Sequence, residues 1–333
     1  MTRTLVVAPS WIGDAVLSHP LLVRLREADR AATIDVLAPP WVLAVYRRMP
    51  EVSGTIENPF GHGALRLGAR RRFARSLAAY DRAIVLPNSF KAALVPWHAG
   101  IRERVGYRGE MRFGLLNDAR RLDTTAVPLQ VERYAALAQP AGETLRRPLP
   151  EPRLVIDAAA RDAAVARLAL DLARPVAVFA PGAEYGPAKR WPAAHFAALG
   201  RMLVERGEQV WLFGSAKDSS IAREIAASIG EHAVDLTGRT SLDEAIAVLS
   251  LAAHVVSNDS GLMHIAAALA RPMAAIFGSS SPAYTPPLSA QARVVRLNLA
   301  CSPCFQRECP LEHANCLRLI EPSRVMNALE PLQ

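Results

Sequence analysis

A short apolar run rich in β-branched residues, then a polar loop, then a longer amphipathic stretch: this order recurs along the chain and leaves few folds open to it. Residues 4–8 read as a strand, 9–14 as a loop, 15–27 as an amphipathic helix and 33–38 as the next strand, and residues 82–86 carry the alternation onward. Strands separated by helices pair in parallel, because the helix is the crossover that returns the chain to the same end of the sheet. At 139–153 the pattern breaks into a Pro-rich polar stretch, so a domain linker is expected there, dividing the chain into residues 1–150 and 151–333. The pattern then starts over, with strands at 175–180, 209–213, 234–236, 252–256 and 272–277 and helices over 192–206 and from 241 onward. The fold class predicted is α/β: two doubly wound parallel-sheet domains with a cleft between them.

Length and charge agree with two domains and narrow the partners. A chain of 333 residues is too long for one ordinary core, and with 51% hydrophobic residues it is globular. Asp14, Asp259 and the arginines interrupt every apolar run before it reaches bilayer length, and Asp14 argues against a signal peptide, so a cytoplasmic location is expected. The 4 cysteines all fall within residues 301–316, unlike the spread framework of a secreted protein. Residues 1–150 hold 22 Lys+Arg against 13 Asp+Glu, a net +9, whereas residues 151–333 hold 17 against 18. The basic excess of the first half suits an acidic partner, whether nucleic acid, anionic lipid or a charged sugar; an arginine-rich composition decorating a solvated surface gives the same numbers. Among 39 basic residues only Lys91, Lys189 and Lys217 are lysines.

Three familiar fingerprints are missing: GxGxxG after the first strand, GxxxxGK[ST] anywhere, and the Asp-x-Asp that would hold a metal on a nucleotide-sugar diphosphate. The candidate site is instead assembled from loops at strand ends, where ligands of open parallel sheets bind. Ser257-Asn-Asp-Ser-Gly-Leu-Met-His264 joins a buried strand to an apolar helix, and backbone N–H groups at such a helix start, with its dipole, suit a phosphate. Asp259 and Ser260 also serve there as helix caps, Gly261 allows close approach, and His264 is one turn in, as a ligand contact or as core. In the loop after residue 180, Glu184 precedes Lys189 and Arg190, two cations just upstream of a helix start. Ser215, Thr240 and Ser241 lie in two smaller loops that read either as contacts to a ribose or base edge or as turn and cap chemistry.

In the first half, Gly13-Asp14 follows the first strand. Asp14 reads as a helix cap or as a general base, since a partly desolvated carboxylate has its pKa raised. Lys91 lies at a strand end as well, and Arg70 and Arg71 belong to a basic run with Arg66, Arg72 and Arg75 on a short helix. Cys301, Cys304, Cys309 and Cys316 leave two readings, a structural zinc knuckle or a reduced, proline-stiffened loop.

Taken together, PSWIGDA, LPNSFKAALVP, PGAEYGPAKRWP, SNDSGLMHIAAAL, GSSSPAYTPPLS and CSPCFQRECP resemble the heptosyltransferases of glycosyltransferase family 9, in their type II pattern, across residues 5–324. Glu312 departs from that pattern, where a glycine is commoner. The resemblance implies a GT-B fold of two Rossmann-like domains, with the acceptor on residues 1–150, the nucleotide-sugar donor on residues 151–333 and a last helix packing back on the N-terminal domain. It implies inverting transfer of L-glycero-D-manno-heptose from ADP-heptose to the first heptose of the lipopolysaccharide inner core, with no metal and no cofactor. Asp14 then matches the family's base. Glu184, Lys189, Asp259, Ser260, Gly261 and His264 match donor positions, with Ser215, Thr240 and Ser241 beside them, and Lys91, Arg70 and Arg71 fall to the acceptor. The partners implied are ADP-heptose and a heptosyl-Kdo2-lipid A acceptor, met at the cytoplasmic face of the inner membrane, and no nucleic acid. The competing readings are heptosyltransferase I or another nucleotide-sugar transferase, and a non-catalytic protein that binds anionic ligands.

Overall fold

The structure is a computed structural model that describes residues 1–330 except His62, Ala64 and Ala78. The chain divides into two compact units, Met1–Leu154 and a second that starts at Val155. The first holds strands β1 (Arg3–Val7), β2 (Thr33–Ala38), β3 (Gly54–Glu57), β4 (Arg82–Val85), β5 (Glu103–Tyr107) and β6 (Asp118–Arg120), and the second β7 (Val176–Ala180), β8 (Gln209–Leu212), β9 (Ala233–Asp235), β10 (His254–Asn258), β11 (Met273–Ile276) and β12 (Ala292–Val295). The sheet orders are β3-β2-β1-β4-β5-β6 and β12-β11-β10-β7-β8-β9, with every pairing parallel.

Both orders are the same winding. Within each unit the first strand lies between the second and the fourth, so the chain reverses direction across the sheet between β1 and β4 and again between β7 and β10. Loops leaving the carboxyl ends of those four strands part to opposite faces there, and the opening is where an α/β sheet receives its ligand. Helices cover both faces, which is why β7 reads Val-Ala-Val-Phe-Ala with every residue buried rather than alternating.

Packing explains where the elements stop. In the second unit Phe179, Trp191, Phe196 and Leu199 are all fully buried in one cluster with Val325, Met326 and Leu329 of the last helix, Pro322–Leu329. Each such side chain contributes about 1.5–3 kcal/mol by leaving water. That last helix packs on the helix Ala193–Glu205 and on β11 and β12 of its own unit. In the first unit the expected helix over 15–27 is two helices, Ile12–Leu17 and His19–Ala28. Pro20 has no N–H to continue the ladder, and the Ser18 hydroxyl donates to the Ala15 carbonyl oxygen at 2.7 Å, closing the first helix.

The Pro-rich stretch expected as a linker belongs to the first unit. Arg146 pairs with Glu27 at 2.6 Å, Arg147 with Glu132 at 2.7 Å and Arg153 with Glu51 at 3.4 Å. Arginines among prolines read as solvated spacer in the sequence, whereas their carboxylate partners are distant in it and adjacent only in the fold.

Candidate active site

The carboxyl ends of β7 and β10 are joined through one side chain. Ala180 stands opposite Ser257 in the register, and Asn258 then donates from Nδ2 to the Pro181 carbonyl at 2.8 Å and accepts at Oδ1 from the Trp191 N–H at 3.0 Å. Asn258 thus fixes both ends of the loop 181–191 against the start of the helix Gly261–Ala268. Trp191, fully buried, donates its indole N–H to the Ile320 carbonyl at 2.9 Å and anchors the far side.

Within this frame Lys189 Nζ meets Asp259 Oδ2 at 2.5 Å, with the carboxylate side chain only 6% exposed. Asp259 is therefore not a helix cap. Ser260 takes the N-cap position, but its hydroxyl meets Ser257 Oγ at 3.2 Å and makes no cap bond to the helix. The first N–H groups of Gly261–Ala268 have no intrahelical acceptor and no side-chain cap, so they remain donors beside the positive end of the helix dipole. His264 is buried in the same helix, and burial outweighs the pull of Asp259 to push its pKa down to about 4. It is a neutral imidazole at pH 7, able to donate and accept.

The remaining donor-side candidates divide between the site and local structure. Glu184 pairs with Lys217 at 2.6 Å on the exposed rim. Ser215 donates from its N–H and hydroxyl to Asp218 at 2.9 and 2.8 Å. Ser241 is the N-cap of Leu242–Leu249, its hydroxyl accepting from the Glu244 N–H at 3.2 Å while Glu244 accepts from the Ser241 N–H at 2.8 Å, so its side chain completes a capping box. Thr240 is half-buried beside it.

In the first unit Asp14 is not the cap of its helix either. The N-cap is Trp11, without a side-chain bond, and Asp14 sits in the first turn. Burial raises its pKa to about 6, against a smaller lowering from the Tyr134 hydroxyl that hydrogen-bonds it. The Tyr46 phenol, 3.0 Å from Ser18 Oγ, is pushed above its usual range by burial and then by the Asp14 charge. Lys91 reaches the Gly63 carbonyl at 3.1 Å, and Arg71 is exposed on the helix Leu67–Ser76. Arg70, expected with them as an acceptor cation, has a structural task instead. It is 4% exposed, donates to the Leu65 carbonyl at 2.8 Å and the Lys91 carbonyl at 3.4 Å, and lies 4.3 Å from the Phe60 ring centroid. Helical spacing turns Arg70 inward and Arg71 outward, which a run of like residues does not reveal.

Further residues not singled out in the sequence stand beside the loop 181–191 and past β11. Tyr185 lies under Lys189, whose Nζ is 5.0 Å from the ring centroid, and donates its hydroxyl to the Phe305 carbonyl at 2.7 Å. The segment after Cys301 therefore forms part of the wall. Ser279 and Ser280, just past β11, are buried with hydroxyls that find no partner among the described residues. A polar turn follows a buried strand at 278–281 just as it does at 257–264, so the sequence carries a signal there as well. The 4 thiols are free and half-buried, and among the described residues no three His, Cys, Asp or Glu side chains are placed to hold a metal ion. Burial, then the neighbouring thiols, raises the Cys316 pKa.

A doubly wound pair of units, one with an uncapped helix start beside a half-buried lysine and the other with a carboxylate whose pKa is raised to about 6, fits the class of nucleotide-sugar transferases. The pattern of glycosyltransferase family 9 (heptosyltransferase) matches residues 70–315, and the chain belongs to that family. It is 46% identical to lipopolysaccharide heptosyltransferase 2 of Escherichia coli K12 over 99% of this chain and 98% of that protein. It is 45% identical to lipooligosaccharide heptosyltransferase 2 of Haemophilus influenzae over 88% of each. The solved structure of the E. coli ADP-heptose lps heptosyltransferase II superposes with a TM-score of 0.89 at 44% identity, covering 98% of this chain and 97% of that one. The fold is thus GT-B, as the motifs implied.

Proposed function

We propose that this chain is a heptosyltransferase II, transferring L-glycero-D-manno-heptose from ADP-heptose to the first heptose of the lipopolysaccharide inner core with inversion at the anomeric carbon. The observation that carries the reading is the uncapped start of Gly261–Ala268 beside the Lys189–Asp259 pair, a ready site for a diphosphate. The names of the relatives and of the superposed structure supply the sugar.

In this reading the second unit binds the donor and the first the acceptor. Asp14 takes the proton of the acceptor hydroxyl, whose oxygen attacks the anomeric carbon as the bond to the diphosphate breaks. The negative charge growing on departing ADP is met by the N–H groups at Gly261 and by Lys189, which Asp259 holds in place. Neutral His264 adds a hydrogen bond without a competing charge. The acceptor's phosphates and carboxylates, at the cytoplasmic face of the inner membrane, match the +9 of residues 1–150.

A transfer assay with ADP-heptose and a heptosyl-Kdo2-lipid A acceptor tests the whole. Asp14→Asn is expected to lower turnover by about 100-fold or more while ADP still binds. No transfer by the wild-type chain to any inner-core acceptor would sink the assignment. Lost ADP binding in Asp14→Asn would remove the base role.

A further inference from the structure

The cations around the loop 181–191 are unequal once their partners are counted. Lys189 is neutralised by Asp259 at 2.5 Å, Lys217 by Glu184 at 2.6 Å, and Arg190 has Asp218 at 3.8 Å. Arg307 has no carboxylate partner among the described residues. Its guanidinium stands 5.3 Å from the centroid of the Tyr185 ring, the same ring that Lys189 approaches at 5.0 Å. One aromatic side chain therefore holds two cations at the loop, and only one of them is already compensated.

The segment that carries Arg307 is docked onto the site by its backbone. The Ala188 N–H donates to the Arg307 carbonyl at 3.0 Å, the Phe305 N–H to the Ser279 carbonyl at 2.7 Å and the Tyr185 hydroxyl to the Phe305 carbonyl at 2.7 Å, while the Ser302 hydroxyl donates to the Gly278 carbonyl at 2.7 Å. Gly186 permits this docking, since a Cβ there would collide with the Arg307 carbonyl oxygen. The same segment thus bridges the loop after β7 and the loop after β11, where the buried hydroxyls of Ser279 and Ser280 also lack partners. A guanidinium without a carboxylate partner among the described residues, fixed at its backbone and exposed at its tip beside the Tyr185 ring, is placed to take an anion.

We propose that Arg307 is a donor-binding residue that contacts the diphosphate of the nucleotide sugar and supplies the net positive charge that the Lys189–Asp259 pair does not. The inference rests on the donor-site reading above and deepens it. Lys189 and Asp259 together present a dipole of no net charge; a diphosphate approaching them still needs a counter-charge, and a guanidinium offers it in a planar fork that fits two phosphate oxygens. The cysteine-bearing loop becomes the means by which that charge is delivered.

The test is binding of ADP by calorimetry and of adenosine by competition, for the full chain and for Arg307→Ala and Arg307→Lys. Arg307→Ala is expected to weaken ADP by roughly tenfold or more and to leave adenosine unchanged, with Arg307→Lys in between. Added salt should weaken ADP more for the wild type than for Arg307→Ala. Because docking uses the Arg307 carbonyl, truncating the side chain keeps the loop's own bond. Equal ADP affinity in wild type and Arg307→Ala overturns the inference, as does an equal loss for ADP and adenosine, which would make the side chain a support for the loop. A wild-type chain that binds no ADP overturns the donor-site reading itself, and does so before any variant is compared.

Discussion

Asp14 stands under opposed demands at the scale of one residue. Its pKa of about 6 against 3.8 means the folded chain binds the proton more tightly between those values, so stability falls as pH rises through that window and stays lower above it. Replacing Asp14 by Asn should therefore raise stability at pH 7 by about 1–3 kcal/mol in a denaturant titration, while transfer is lost. A purely structural carboxylate would show the reverse, lower stability. The same pKa predicts that kcat/KM rises with pH and levels off above about 6. His264 carries the opposite sign: its folded pKa of about 4 lies below the usual 6.5, so the unfolded chain binds more protons between them and stability is lost as pH falls from 6.5 toward 4. That loss amounts to about 3 kcal/mol, and His264→Gln should remove it from the pH dependence of the unfolding midpoint. The residue types at these positions were legible in the sequence. A raised pKa at Asp14 was one of two readings left open there, and burial in the fold decided it; the neutral state of His264 had no signal in the sequence, because burial sets it.

At the scale of elements, the loop 181–191 depends on partners far along the chain. Asn258→Ala would leave the Trp191 N–H and the Pro181 carbonyl without their partner and should cost about 2–3 kcal/mol of stability, with ADP binding weakened as the loop loosens. Eight of the twelve strands were readable to within a residue or two from apolar runs, because a strand buried on both faces admits little else. The strands β3, β5, β6 and β12 were not read, and three of them, β3, β6 and β12, are short and largely half-buried, without an apolar run to mark them. Helix 15–27 was readable as helical and its break at Ser18 was not, although Pro20 was in view; the side-chain bond of Ser18 to Ala15 decided it. Arg70 and Ser241 show the same boundary. The charge of Arg70 suggested ligand contact, but a buried stack on Phe60 uses that side chain first, whereas at Ser241 the fold takes the cap reading that the sequence had left open, with Glu244 completing the box.

For the whole molecule, the charge asymmetry predicts a salt-sensitive association with anionic surfaces. No helix among the described residues is long and apolar enough to cross a membrane. If residues 1–150 meet the acceptor at a lipid surface, sedimentation with vesicles containing phosphatidylglycerol should fall sharply between about 0.1 and 1 M salt, where the screening length shrinks from about 10 to about 3 Å. Binding that is indifferent to salt or to anionic lipid would count against the proposal. The alternation of strand, loop and helix by itself determined two parallel α/β sheets, and its strand-end loops by themselves marked Asp14, Lys189 and the stretch 257–264. Only the tertiary structure decided that Asp259 holds Lys189 rather than capping a helix, that Asn258 joins two loops, and that Lys189 and Arg307 meet at the ring of Tyr185. The physical reason is one of range: periodicity and turn chemistry act between neighbours in sequence, whereas ion pairs, desolvation and ring contacts depend on residues that only the packed sheets bring together.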